Sequence, residues 1–139
     1  AAGLSVTRRS TLSDPSVRVP ATDALLVDTT GELGAWQYLA TVVVVGKSFL
    51  AKGGQNPAEA AMAGKPVVFG PHMENFEALV KLLLARHGAV QVKDFSEAES
   101  AIARLINDPS AAQSLALNGH QALQAHVGST HRTVERLLK

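Results

Sequence analysis

An unbroken β-branched run, Thr41-Val42-Val43-Val44-Val45, constrains this chain more than any other feature. Two heavy atoms on Cβ favour extended backbone. A stretch that is β-branched at every position, rather than at alternate ones, suits a central parallel strand buried on both faces. Residues 65–69, with Val67-Val68-Phe69, make another β-rich run. Parallel strands cannot be joined by tight hairpins and need crossovers, usually helices.

The surrounding sequence supplies those crossovers. Residues 4–8 alternate apolar and polar, a short strand, and residues 10–20 are a Ser- and Pro-rich loop. Residues 24–27 form a strand that enters the turn Asp28-Thr29-Thr30-Gly31, and residues 32–40 carry apolar side chains at helical spacing. Residues 46–54 read as loop. A helix opens at Asn56-Pro57 and runs to Ala63, with Gly64 at the position past its end that favours glycine. Another spans 75–86 and stops at Gly88. Val90 and Val92 mark a last strand. Ser96 is expected to cap a helix that runs to Asn107 and is stopped by Pro109, and the remainder is helical with a break at Gly128. The fold class is therefore α/β: a Rossmann-like parallel sheet with right-handed crossovers, helices on both faces and a helical C-terminal tail. At 139 residues it is expected to be a single domain, 1–139.

Composition narrows the function classes. There is no cysteine, which rules out disulfides and thiolate zinc sites. With 46% hydrophobic residues and a net charge of +1, the chain suits neither disorder nor electrostatically driven nucleic-acid binding. No segment approaches the roughly 20 apolar residues of a membrane span. The start at Ala1-Ala2-Gly3, with no methionine and no signal peptide, reads as an excised domain.

In parallel α/β sheets, ligands sit beyond the carboxyl ends of the strands, and three unusual loops leave such ends. The first, Asp28-Thr29-Thr30-Gly31-Glu32-Leu33, places a glycine before a helix whose free N–H groups suit phosphate; it is equally a tight turn with Thr30 as helix cap. In the second, Gly53-Gly54-Gln55-Asn56-Pro57-Ala58-Glu59, a capping-box-like start explains Asn56, Pro57 and Glu59 without a ligand. It does not explain two adjacent glycines, which imply a positive φ or close approach, and the Glu59 carboxylate matches the two hydroxyls of a ribose. The third, Gly70-Pro71-His72-Met73-Glu74-Asn75-Phe76, has Glu74 or Asn75 near a helix cap; its His72 can donate to a phosphate or a sugar hydroxyl, or be an ordinary solvated loop histidine. His87, His120, His126 and His131 fall on expected helices without metal-ligand spacing, and no metal or cofactor is assigned. Dinucleotide, Walker and nucleophile-elbow motifs do not occur.

These loops, joined in order with Gly64-Lys65-Pro66-Val67-Val68-Phe69, closely resemble the C-terminal domain of bacterial 3-deoxy-D-manno-octulosonic acid (Kdo) transferases. The resemblance covers essentially the whole chain and is densest over residues 25–76. It implies the GT-B architecture, two Rossmann-like domains facing a cleft, with this one holding the nucleotide-sugar donor CMP-Kdo. It also implies CMP contacts from Thr30-Gly31-Glu32 and from Asn56 to Glu59, with Glu59 on the ribose hydroxyls. Backbone N–H groups around Gly31, Gly53 and Gly54 would then serve the phosphate or the Kdo carboxylate, and His72 would border the pocket. The implied acceptor is a lipid A precursor in lipopolysaccharide synthesis, at the cytoplasmic face of the inner membrane. The N-terminal domain would bind the acceptor, supply the general base and make any membrane contact, which leaves no catalytic residue, metal or nucleic-acid partner in this fragment. Lys47 departs from the family, which often has a second glycine there; it is either a cation facing the donor or a solvated side chain. Alternatives are the donor domain of a UDP- or GDP-sugar transferase or epimerase, and a non-catalytic interaction module.

Overall fold

The computed structural model describes residues 3–12 and 21–124. Part of the expected 10–20 loop, the break at Gly128, His126 and His131 lie outside the described residues. The chain divides into two compact units, Ala1–Trp36 and Gln37–Lys139.

In the first unit, β1 (Val6–Arg8) pairs in parallel with β2 (Ala24–Leu26), Val6 opposite Ala24 and Arg8 opposite Leu26. Neither strand contains a buried residue. Polar clasps join the segments instead. The Ser5 N–H and hydroxyl both donate to the Asp23 carboxylate, at 2.8 and 2.7 Å. Those of Ser10 donate to Asp28 at 2.9 and 2.7 Å. Residues Arg9–Thr11 form a 3-10 turn. Helix α1 (Leu33–Leu39) begins in this unit.

The second unit has a sheet of order β3-β4-β5, all parallel, from β3 (Val43–Val45), β4 (Val67–Phe69) and β5 (Val90–Gln91). Its helices are α2 (Lys47–Leu50), α3 (Ala58–Met62), α4 (Glu77–Ala85), α5 (Phe95–Asn107) and α6 (Pro109–Gln124). Strand β4 is wholly buried because it divides two apolar clusters. Val67 and Phe69 enter one with Ala60, Ala61 and Leu83, and Val68 enters the other with Ala98 and Leu105. Burying a side chain such as Phe69 contributes about 1.5–3 kcal/mol. Helices on both faces of a parallel sheet are what the β-branched runs imply.

Several expectations are corrected. In this unit the central strand is β4, whereas β3, among the described residues, lies at the edge of the sheet beside β4, with Val44 41% exposed. Residues 46–54 are not all loop: Gly46 takes the helical conformation, Phe49 N–H returns to Gly46 O at 3.2 Å, and one turn, α2, results. The Phe49 ring then stacks on Phe95 at 4.8 Å, a tertiary contact that helical periodicity cannot reveal. Asp94, not Ser96, caps α5. Its backbone is extended and its carboxylate accepts from Glu97 N–H at 2.9 Å. Pro109 opens α6 rather than merely ending α5, because proline fits a first helical turn and Asp108 accepts from Ala111 N–H at 2.9 Å.

The end of α4 also differs. His87 is not helical but takes the left-handed conformation, φ +51°, one residue before the glycine expected there. Gly88 is needed for packing: a Cβ on it would lie 2.5 Å from Gly119 Cα on α6. His120, on α6, is half-buried and approaches Met62 O through Nδ1 at 2.8 Å.

Candidate functional site

Two of the three loops leave the carboxyl ends of β3 and β4, and the structure brings them together. Ser48 is the pivot. It is fully buried on α2, its hydroxyl donates to Val45 O, and the same oxygen accepts the Gly70 N–H at 2.7 Å. Ser48 O in turn accepts the His72 N–H at 3.0 Å. A buried hydroxyl satisfied both ways fixes the starts of both loops.

Gly53 and Gly54 have φ of +92° and +62°, in the left-handed region that favours glycine. Close approach adds to the requirement at Gly54, where a Cβ would lie 2.5 Å from Met73 Sδ and 2.7 Å from His72 O. The double glycine therefore seats one loop directly on the other. Both glycines are buried, and Gly53 N–H is already engaged: it donates to Glu74 Oε2 at 2.6 Å. The other oxygen, Oε1, lies 3.4 Å from His72 Nδ1. The Gly53 hydrogen bond is the main reason why the Glu74 carboxyl sits below its usual range, and His72 adds to it. Glu74 was expected only near a helix cap. Its pairing with Gly53 joins segments 21 residues apart, which local sequence does not signal.

Asn56 accepts from Ala58 N–H through Oδ1 at 3.0 Å, but it is not the expected N-cap: α3 begins behind Pro57, whose O accepts the Ala61 N–H, and no side chain caps it. The reciprocal half of a capping box is also missing among the described residues, since no hydrogen bond runs from Glu59 to Asn56 N–H. Glu59 is exposed in the first turn of α3, and among the described residues its carboxylate has no hydrogen-bond partner. Lys47 is exposed on α2, beside Ser48.

The first loop, Asp28–Leu33, belongs to the first unit. Gly31 has φ +84° and is exposed, as is Thr30. The residue that acts at this turn is Thr29 rather than Thr30: its hydroxyl donates to Glu32 Oε2. Arg9 Nη2 donates to Glu32 Oε1 at 2.9 Å. Thr29 foremost, then Arg9, hold the Glu32 carboxyl below its usual range. Sequence reasoning missed Arg9 because its partner lies 23 residues away. Both α1 and α3 are too short to accumulate much dipole, so what these loops can offer an anion is individual N–H groups.

A groove of about 670 Å³ lies elsewhere, where β3 and β4 begin, lined by Thr41, Pro66, Leu117 and His120 among others. It contains none of the expected site residues. No helix among the described residues is long and apolar enough to cross a membrane.

No family model matches the sequence. The 3-deoxy-D-manno-octulosonic acid transferase of Bordetella pertussis is 38% identical over 138 residues, 99% of this chain and 32% of that protein. The Haemophilus influenzae protein of the same name is 30% identical over 131 residues, 94% of this chain and 30% of that protein. The chain thus spans about a third of the length of the curated relatives it matches. Among solved structures, the C-terminal CMP-Kdo binding domain of WaaA from Acinetobacter baumannii matches with a TM-score of 0.78 and 27% identity, over 87% of this chain and 62% of that one. Similar along almost its whole length to these transferases and folded like the C-terminal CMP-Kdo binding domain of WaaA, the chain belongs to the 3-deoxy-D-manno-octulosonic acid transferase family.

Proposed function

We propose that this chain is the donor-binding domain of a Kdo transferase, taking CMP-Kdo while the acceptor domain lies in a further part of a longer parent protein. The observation that carries the reading is the match in fold to a CMP-Kdo binding domain. The interlocked glycine and histidine loops at the carboxyl ends of β3 and β4, where α/β sheets bind ligands, support it.

In this reading residues 1–139 act as one donor domain. Donor contacts come from Thr30, Gly31 and Glu32 in the first unit, and from Gly53, Gly54, Asn56, Glu59 and His72 in the second. Glu59, with its carboxylate exposed, accepts the ribose hydroxyls. In the parent reaction an acceptor hydroxyl of a lipid A precursor attacks the anomeric carbon of Kdo. The new C–O bond forms as the bond to the CMP phosphate breaks, and the hydroxyl proton passes to a base outside this chain. Backbone N–H groups stabilise the departing phosphate charge. The parent enzyme works at the cytoplasmic face of the bacterial inner membrane, which it contacts through its other domain.

The test is a backbone-amide NMR titration of this chain with CMP to millimolar concentration, with UMP and GMP as controls. About 4 kcal/mol of binding corresponds to a millimolar Kd, a reasonable strength for half a site. Shifts selective for CMP at Gly31, Glu32, Asn56 and Glu59 are expected. Equal shifts with all three nucleotides, or preference for UMP or GMP, would transfer the assignment to another GT-B nucleotide-sugar enzyme. A stable dimer with no nucleotide response would favour an interaction module.

A further inference from the structure

The Glu74 carboxylate occupies a position that an external oxyanion would otherwise fill. Its Oε2 takes the Gly53 N–H at 2.6 Å, and its Oε1 lies 3.4 Å from His72 Nδ1. Two groups on separate loops thus converge on one carboxylate. A backbone N–H in a loop of positive-φ glycines, with an imidazole beside it, is a donor set that binds phosphate and carboxylate alike. The glycine backbone is built into the fold: Gly54 has no space for a side chain against His72 O and Met73. Glu74 is different. Its side chain is 52% exposed and attached to a short 3-10 turn, so it can rotate into solvent without disturbing the core.

An N–H donates one strong hydrogen bond at a time. While Glu74 holds it, Gly53 cannot serve a ligand's oxygen, and an approaching anion meets a like charge. We propose that Glu74 is a built-in substitute anion: it keeps the Gly53 site satisfied in the empty protein, and an oxyanion of the donor must displace it to bind. This rests on the donor-domain reading for the identity of the ligand, but the oxyanion site can be tested without it. Displacement sets specificity as well as affinity. A neutral ligand gains nothing at Gly53 that the carboxylate does not already supply, whereas another oxyanion replaces the charge-assisted hydrogen bond in kind.

The test compares the unaltered chain with Glu74→Gln and Glu74→Ala by amide NMR, in titrations with inorganic phosphate, CMP and free Kdo. Inorganic phosphate is expected to shift Gly53 in all three, with binding about threefold tighter in the variants, the scale on which removal of one exposed like charge acts. A contact that only holds the loops together would have the opposite sign, because its loss weakens binding. Glu74→Gln keeps an acceptor for Gly53 without the charge, which guards against loss of fold in Glu74→Ala. Phosphate and CMP against free Kdo distinguish a phosphoryl occupant from the sugar carboxylate. Unchanged or weaker phosphate binding in both variants would overturn the proposal, as would a Gly53 amide that phosphate never moves. Tightening for phosphate together with no response to CMP would uphold the oxyanion site and sink the donor reading instead. CMP binding at Gly31 and Glu59 with no tightening at Gly53 would do the reverse.

Discussion

The two units of this chain are stabilised by different physics. The first joins two three-residue strands, with no buried side chain in either, through Ser5–Asp23, Ser10–Asp28 and Arg9–Glu32. In the second, the fully buried strand β4 lies between two apolar clusters. A two-stranded sheet is marginal by itself in water, whereas apolar burial on both faces gives a unit its own core. Polar clasps therefore matter more where the core is thin, and the candidate donor residues fall in both kinds of setting.

The contrast can be broken most directly by removing apolar volume. Leu83 is completely buried beneath β4, and Leu83→Ala is expected to destabilise the second unit by about 2–5 kcal/mol in chemical denaturation. If it costs as little as a surface change, the unit does not depend on its core. Next in size is Gly119→Ala. A Cβ there would lie 2.5 Å from Gly88 O, backbone that cannot swing away, so a loss of about 1–3 kcal/mol and displacement of α6 are expected, read from the melting temperature and from amide shifts around Gly88.

Acid probes the other unit. Asp23, Asp28 and Glu32 all titrate below their usual values, chiefly because of hydrogen bonds from Ser5, Ser10 and Thr29 respectively. A depressed carboxyl contributes stability above its unfolded pKa and loses it as pH falls through the folded value. Amides of residues 5–10 and 23–32 are therefore expected to lose native dispersion below about pH 4, while those of β4 and α5 persist. Simultaneous loss in both units would refute the distinction. The smallest effect is expected for Val6→Ala. Val6 is 60% exposed, so the change should alter stability by only about 0.5 kcal/mol or less.

Much of this was legible in the sequence because it is local. Gly64 sits at φ +68° past α3, and the five strands among the described residues fall within the runs that suggested them. The illegible parts are those whose cause lies far along the chain. Helix α2 is stabilised where Phe49 meets Gly70 and Phe95. Asp94 and Ser96 are both plausible caps by residue type, and only the extended backbone at Asp94 decides between them. In the candidate site the glycines and His72 stood out by composition, whereas Ser48, Glu74 and Arg9 did not, since each acts through a partner about twenty residues or more away.

By itself the sequence determined the α/β class, the position of each β-rich run, that the glycines at 53 and 54 serve a special backbone conformation or a close approach, and the transferase family, because β-branched runs, turn glycines and motif order are local properties. Only the tertiary structure decided which strand is central, which glycines serve packing between elements, and that Gly53 N–H is already occupied by the Glu74 carboxylate. The reason is physical. Propensity and pattern act over one or two turns of chain, but burial and hydrogen-bond pairing depend on what the fold brings alongside.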